Sequence, residues 1–153
     1  MKSEPTVFSF DNLMAKPDAT DHWEGVRNYQ AHNYMREMQK DDLVLFYHSN
    51  CEIPGIVGIA KVIREAYPDH TSWDASSRYY DPKSSLQNPR WFMVDVQSKK
   101  KFRHIISLKE LRKVPELQEM NLLRKGQRLS VMPVMQKDFE KIVKLAEATY
   151  SRS

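Results

Sequence analysis

The chain has 153 residues, of which 41% are hydrophobic and 29% charged, a balance typical of one soluble globular domain, here residues 1–153. No apolar run reaches the ~18 residues of a membrane helix, and the first residues lack the pattern of a secretory signal. The single cysteine, Cys51, has no partner for an internal disulfide. These features argue against a membrane-spanning or disulfide-stapled protein and predict a cytoplasmic setting, nucleoid-associated or nuclear.

Charge is distributed unevenly around a net charge of +4. Residues 1–60 contain five Lys or Arg and nine Asp or Glu, whereas residues 99–128 contain ten and three. A basic segment of this kind is what a polyanion-binding face requires, although many such runs are only solvated surface.

The first half of the chain alternates between strand and helix patterns. Pro5 restricts the preceding residue to extended geometry, so residues 1–5 are predicted to end a strand. Ser9 is a suitable N-cap for a short helix, and residues 17–21 read as a loop. Asn28 can cap a helix from Tyr29 to about Met38. Residues 43–48 are continuously apolar, which predicts a strand buried on both faces, paired with residues 56–63.

The second half begins with a long connection, residues 67–88, whose aromatic content favours a functional role. Alternation predicts a strand from Trp91 to Phe102, with the three lysines 99–101 at an edge or turn. Gly58, in the preceding strand, indicates a bulge or a close approach. Ser107 and Glu110 form a capping box. A short helix over 115–123, a short strand over 129–134 and an amphipathic helix over 136–148 complete the prediction. The sum is an α+β fold with a curved, mostly antiparallel sheet and flanking helices.

Patterns for metal binding and catalysis are weak. His48 and Cys51 supply two ligands, which are too few for a zinc site, and no third group orients them as a nucleophilic dyad. The four glycines form no phosphate-binding loop, and no carboxylate pair stands out for acid–base chemistry. We therefore expect no metal, no cofactor and no enzymatic activity.

Polar and aromatic residues suited to binding a base recur along the chain. The stretch from Trp23 to Tyr29 places an indole, a guanidinium, an amide and a phenol around Gly25. Bases bind proteins by stacking on aromatic faces and by hydrogen bonds to their polar edges. If the sheet curves, this stretch would share one cavity with residues 49–50, 79–84 and 128–132. In the ordinary alternative, Arg27 pairs with Glu24 or Asp21. Trp91 and Met132 are then plain core residues, and Tyr79 and Tyr80 are loop contacts.

The chain also resembles the EVE domain family in seven short blocks. The blocks are Met-Lys-Ser-Glu-Pro at 1–5, Trp-Glu-Gly-Val-Arg-Asn-Tyr-Gln-Ala at 23–31, Phe-Tyr-His-Ser-Asn at 46–50, Pro-Gly-Ile-Val-Gly at 54–58, Tyr-Tyr-Asp-Pro-Lys-Ser at 79–84, Asn-Pro-Arg-Trp at 88–91 and Arg-Leu-Ser-Val-Met-Pro-Val at 128–134. They occur in the family's order and cover nearly the whole chain.

The resemblance implies a PUA-like fold, a small curved β-barrel with flanking helices. It also implies a non-catalytic function, the binding of a flipped modified base, with modified cytosine in DNA as the leading candidate. By similarity, the base-binding pocket comprises Trp23, Val26, Arg27, Asn28, Tyr29, Ser49, Asn50, Tyr80, Leu129, Ser130 and Met132. We expect phosphates to bind the basic residues Lys83, Arg90, Lys99, Arg103, Arg124, Lys125 and Arg128.

Two other functions fit the same residues. One is an RNA-binding module for a modified nucleotide in transfer or ribosomal RNA, and the other is an enzyme acting on a modified base. We expect a monomer. One feature departs from the family, whose members usually carry a few apolar residues, including an aromatic, before the Met-Lys-Ser-Glu-Pro block. We therefore expect either a shortened first strand or a start that lies upstream.

Overall fold

The computed structural model describes residues 1–151, and side chains through residue 148. Within that range five strands form one sheet in the order β1-β3-β4-β5-β2. They are β1 (Lys2–Ser3), β2 (Thr20–His22), β3 (Leu43–His48), β4 (Gly55–Pro68) and β5 (Phe92–Ser107). β1 runs parallel to β3, and the other pairs are antiparallel. The predicted α+β fold with a mostly antiparallel sheet is confirmed.

Four α-helices flank the sheet in the described part of the chain. They are α1 (Phe10–Ala15), α2 (Tyr29–Arg36), α3 (Leu108–Leu111) and α4 (Gln136–Ser151). The predicted caps are confirmed, because Ser9, Asn28 and Ser107 each accept a hydrogen bond from a backbone N–H three residues further on. These caps satisfy backbone donors that a helix start leaves unpaired.

Bulges bend the long β4–β5 ribbon. The pairing register shifts on both sides of Gly58, between Ile56 and Gly58 and between Ile59 and Ala60. A Cβ atom at Gly58 would lie 2.7 Å from the Phe10 ring and 2.6 Å from the carbonyl oxygen of Lys100. The expected bulge and close approach at this glycine are therefore confirmed. Bulges increase local twist and curve a sheet.

Three local predictions are wrong. Residues 20 and 21, the end of the predicted loop 17–21, belong to β2 and pair with β5, because backbone pairing along a strand overrides weak local propensity. The lysines 99–101 lie inside β5, which continues to Ser107, and because β2 pairs only with residues 95–97 of β5, they lie at an edge of the described sheet, as one of the two predicted alternatives stated. Residues 129–134 form no strand, and Pro133 removes one of the donors a strand there would need. Residues 115–123 form two single 3₁₀ turns, Pro115–Leu117 and Asn121–Leu123, rather than one helix.

The sheet buries both of its faces. Val44 and Phe46 of β3 pack in one core cluster with α1, α2 and Trp23, whereas Leu45 and Tyr47 pack in a second cluster with α4. The predicted burial on both faces is therefore confirmed for residues 44–47, whereas Leu43 is exposed and His48 is partly buried. The segment from residue 23 to residue 31 leaves β2, enters the first cluster and ends in α2.

Candidate nucleic-acid interface

The beginning of the 23–29 segment lies in the core. Trp23 is 9% exposed and packs edge-on against Phe46, with ring centroids 5.4 Å apart, and against Phe8 at 6.3 Å. Val26 belongs to the same buried cluster, and Leu129 packs against it. Trp23 is therefore a core residue and does not lie at the exposed mouth of a pocket.

Ser49 and Ser130 lie on opposite edges of β1. The Ser49 N–H donates to the carbonyl of Ser3 over 3.0 Å, and the Lys2 N–H donates to the carbonyl of Ser130 over 2.8 Å. No described residue hydrogen-bonds to either serine hydroxyl. β1 thus lies between Ser49 and Ser130. Leu129 precedes Ser130 and packs against the buried cluster that contains Trp23 and Val26. We call these five predicted pocket residues the β1 group: Trp23, Val26, Ser49, Leu129 and Ser130.

Arg27 turns the other way, toward the connection between β4 and β5. Its Nε and Nη2 donate to the carbonyl of Tyr79 over 3.1 and 2.9 Å, and its Nη1 donates to Asp69 Oδ2 over 3.0 Å. Longer contacts join Nη1 to the carbonyl of Val26 and Nη2 to the hydroxyl of Thr71. The guanidinium therefore ties segment 23–29 to the connection and has already used its main donor directions.

Asp69 is the centre of this network, and its side chain is fully buried. It accepts hydrogen bonds from the Gly25 N–H, the Thr71 N–H and hydroxyl, and the Arg27 guanidinium. Burial alone raises the pKa of Asp69, but the bonds from Gly25, Thr71 and Arg27 outweigh burial and hold that pKa below its usual value. Asp69 is a buried, ionised carboxylate with its lone pairs satisfied.

Gly25 permits the close packing of this network. Its φ is +82°, and a Cβ atom there would lie 2.5 Å from the Tyr79 ring. A side chain at this position would be strained both by the backbone and by the ring. The glycine lets Tyr79 lie against the backbone while the Tyr79 carbonyl receives Arg27.

Tyr29 and Trp91 extend the network outward. Their rings stack with centroids 5.0 Å apart and an interplanar angle of 29°. The Trp91 indole N–H donates to Asp81 over 2.7 Å, and Asp81 also pairs with Arg90 at 3.4 Å. We call Arg27, Tyr29, Asp69, Tyr79 and Trp91 the Arg27 group.

His32 lies on the buried face of α2, next to this region. It is buried, and its Nε2 accepts a hydrogen bond from the Phe92 N–H over 2.9 Å. Burial, reinforced by the positive charges of Arg36 and Arg27, lowers the pKa of His32 to about 4. The imidazole is therefore neutral near pH 7 and acts as an acceptor that fixes the start of β5.

The remaining predicted pocket residues are dispersed. Asn28 uses its side-chain oxygen as the α2 cap, at 3.0 Å from the Ala31 N–H, and exposed Asn50 donates to Glu4 over 3.0 Å. Tyr80 is exposed. Met132 lines a cavity of about 500 Å³ between the start of β3 and the start of α4, and none of the other predicted pocket residues lines that cavity.

The predicted phosphate-binding residues fall in three places. Arg124, Lys125 and Arg128 are exposed in the turn that leads directly into Leu129 of the β1 group. Lys83 and Arg90 lie beside the Arg27 group, where Asp81 accepts from the Lys83 N–H and pairs with Arg90. Lys99 and Arg103 lie on β5. The predicted phosphate-binding residues therefore belong to three separate parts of the chain.

The sequence did not single out Asp69 or His32. Asp69 carries one usable signal, because an aspartate two residues before a threonine commonly caps a turn, as Asp69 does here. His32 lies on the buried face of α2 beside Ala31 and Met35, but nothing local identifies its partner sixty residues away.

Two kinds of feature are absent from the described residues. No group of three or more His, Cys, Asp or Glu side chains within that part of the chain is arranged to hold a metal ion. No helix there has the length and apolarity needed to cross a membrane.

Comparison with known proteins identifies the family. The EVE domain model matches residues 1–145. The chain is 45% identical to thymocyte nuclear protein 1 of Rattus norvegicus, over 97% of this chain and 73% of that protein. A hypothetical protein from Leishmania major has a TM-score of 0.92 and 43% identity, covering 98% of this chain and 94% of its own.

One similar structure contains a ligand. The human THYN1 protein, in complex with DNA containing 5-methylcytosine, has a TM-score of 0.90 and 41% identity, covering 96% of this chain and 95% of its own. Family model, sequence relatives and structural neighbours agree over nearly the whole chain, and the protein described here belongs to the EVE domain family.

Proposed function

We propose that this protein binds DNA containing a modified cytosine and holds the flipped base without chemical turnover. The observation that carries the proposal is the complex of the similar human THYN1 protein with 5-methylcytosine DNA. That protein matches this chain over 96% of its length at 41% identity, with a TM-score of 0.90.

The β1 group is the best candidate for the base-binding pocket. The Ser49 and Ser130 hydroxyls have no partner among the described residues and flank β1, so both are free to bond the polar edge of a base. Leu129 is adjacent to Ser130 in the chain and packs against the buried cluster that contains Trp23 and Val26, which provides an apolar base for the proposed pocket. The Arg27 group has a supporting role in this proposal, because its donors already serve Tyr79 and Asp69.

The exposed basic turn, with Arg124, Lys125 and Arg128, is the proposed phosphate contact nearest the β1 group. Each phosphate neutralised by a basic side chain releases counterions, so binding should weaken as salt rises. Flipping a base costs a few kcal/mol, and stacking with two or three hydrogen bonds is sufficient to offset that cost.

Discrimination of the modification should be modest. A methyl-sized contact contributes about 1–3 kcal/mol in a shaped apolar pocket. We therefore expect a several-fold to hundred-fold preference for a modified base over cytosine, superimposed on salt-dependent binding that does not depend on the modification.

The test is a set of matched binding titrations. Short DNA duplexes and single strands carry cytosine, 5-methylcytosine or 5-hydroxymethylcytosine at one position, and the set is repeated in RNA. The proposal predicts tighter binding to a modified DNA probe. Equal affinity for all probes would reject base recognition, and a preference confined to RNA would indicate an RNA-binding module. Release of an altered base or nucleoside would indicate an enzyme.

A further inference from the structure

The aromatic ring of Tyr29 is exposed yet firmly held. Tyr29 is the first residue of α2 and remains 60% exposed. An aromatic ring this exposed contributes little to the hydrophobic core, so its fixed position calls for another explanation.

Trp91 holds the ring from beneath. The two rings stack at 5.0 Å, and Trp91 itself is only 4% exposed. Trp91 is in turn anchored by the bond from its indole N–H to Asp81 and by the edge-on ring of His32 at 5.0 Å. One face of Tyr29 therefore rests on a rigid, buried support.

Arg90 fixes the ring at its rim. Its Nη2 donates to the Tyr29 hydroxyl, while its Nη1 lies 3.4 Å from Asp81, the same carboxylate that anchors Trp91. Tyr29, Trp91, Arg90 and Asp81 thus form a closed set of contacts. Little side-chain entropy remains to be lost when a ligand stacks on the outer face of Tyr29.

The charges beside the ring suit a nucleotide. Arg90 lies at the rim of the ring, and the backbone N–H of exposed Lys83 donates to Asp81, the carboxylate that pairs with Arg90. A nucleotide offers a flat aromatic base joined to an anionic phosphate, and stacking on tyrosine is tolerant of base identity. The ring belongs to the Arg27 group and has no described contact with the β1 group, so a base stacked here would be a second nucleotide.

We propose that the outer face of Tyr29 stacks on an unpaired base next to the modified nucleotide, with Arg90 and Lys83 toward its phosphate. This inference rests on the proposed function and extends it, because it assigns a second nucleotide subsite. It predicts that affinity depends on the stacking capacity of one flanking position and that the preference for modified cytosine does not.

The test combines protein variants with abasic probes. Tyr29→Ala should weaken binding on the order of tenfold for both cytosine and 5-methylcytosine DNA, leaving their ratio unchanged. An abasic site scanned through the flanking positions should weaken wild type similarly at one position, and Tyr29→Ala should have no further effect there. Tyr29→Phe keeps the ring and loses the bond from Arg90, so it should lose much less affinity than Tyr29→Ala. Met135→Ala removes an exposed side chain remote in sequence and should have no effect.

A second readout separates stacking from structural damage. Tyr29→Leu covers Trp91 with an apolar side chain but offers no aromatic face. With 2-aminopurine at the flanking position, wild type should quench its fluorescence on binding, and Tyr29→Leu should not. The inference is overturned if Tyr29→Ala and Tyr29→Leu bind like wild type, if their effects add to those of every abasic site, or if they appear only with RNA. Failure of the proposed function gives a different result, because wild type would then show no preference for 5-methylcytosine. The effects of the Tyr29 variants and of the abasic sites can still be measured on the unmodified probe.

Discussion

The β1 group and the Arg27 group are both reached by one short segment, but their polar atoms are in opposite states. Arg27 donates to the Tyr79 carbonyl and to fully buried Asp69. Ser49 and Ser130 donate to no described residue. Arg27, the side chain with the most hydrogen-bond donors, is therefore less available to a ligand than the two serine hydroxyls. Hydrogen bonds already satisfied within the fold contribute to stability, and unsatisfied hydroxyls at an accessible edge remain for binding.

This comparison predicts that disrupting the Arg27 group affects mainly stability. Asp69→Ala removes a fully buried carboxylate and leaves the Gly25 N–H and the Arg27 guanidinium without their acceptor. Breaking a buried pair from one side costs about 3–5 kcal/mol, and we expect a loss of that size in the free energy of unfolding by urea. Asp74→Ala is the matched control, because Asp74 is an exposed turn aspartate whose side chain hydrogen-bonds to Ser76 within the same turn. A cost below about 1 kcal/mol for Asp69→Ala would contradict the role assigned to Asp69.

Acidification should weaken the same region through His32. Its pKa is lowered to about 4 in the folded protein, against about 6.5 when unfolded. The unfolded chain therefore binds the proton first, and stability should fall as pH decreases from 6.5 toward 4, by about 2 kcal/mol. His32→Gln retains an acceptor for the Phe92 N–H without titrating, so its stability should change less over this interval. Parallel profiles for the two proteins would argue against this source of pH dependence.

Asp69 should cause a second loss of stability at lower pH. Its pKa is held below the usual value in the folded state, so its stabilising effect is present above pH ~4 and is lost as pH falls through the folded pKa. Asp69→Asn should flatten the unfolding profile below pH ~4 only, whereas His32→Gln should flatten it above that point.

Alanine substitutions at the two glycines with positive φ, Gly25 and Gly126, distinguish the cost of backbone strain from the cost of the ring contact. Gly25→Ala places a Cβ atom 2.5 Å from the Tyr79 ring, whereas a Cβ atom at Gly126 meets nothing within 4 Å, and both residues have φ near +80°. We expect about 1 kcal/mol of destabilisation at Gly126 and about 2–3 kcal/mol at Gly25. Thermal or urea unfolding of the two variants gives the difference. Equal costs would mean that Tyr79 moves aside freely.

The smallest expected effect concerns the basic turn. Arg124→Gln with Lys125→Gln should weaken all DNA probes uniformly and reduce the slope of log affinity against log salt by up to about 2. Lys101→Gln is the control, because Lys101 already pairs with Asp11 at 2.6 Å. A change in the modified-to-unmodified ratio would place the turn at the base instead of the phosphates.

The sequence predicted correctly those features that are determined by residues close together in the chain. The Ser9, Asn28 and Ser107 caps, the apolar run of β3 and the bulge at Gly58 all follow from neighbouring residues. β2 could not be predicted in this way, because Thr20–His22 is a strand only through its pairing with Val96 and its neighbours on β5.

The candidate site shows the same limit. The sequence singled out the segment 23–29, but the roles of Arg27 and Asn28 depend on distant or backbone partners that residue types do not reveal. Arg27 joins Asp69 and Tyr79 across more than forty residues, and Asn28 is occupied as a cap. Burial of Trp23 likewise depends on Phe46, which the fold brings to it.

The most direct measurement is the ratio of affinities for 5-methylcytosine and cytosine DNA in Ser49→Ala and Arg27→Lys, each first shown to be folded. Ser49→Ala removes an unpartnered hydroxyl of the β1 group, whereas Arg27→Lys loses the forked bond to the Tyr79 carbonyl and tests the support network. We predict that the ratio falls toward one in Ser49→Ala and persists in Arg27→Lys, with Arg27→Lys less stable to urea. An unchanged ratio in Ser49→Ala, together with its loss in folded Arg27→Lys, would contradict the assignment and place base recognition at the guanidinium.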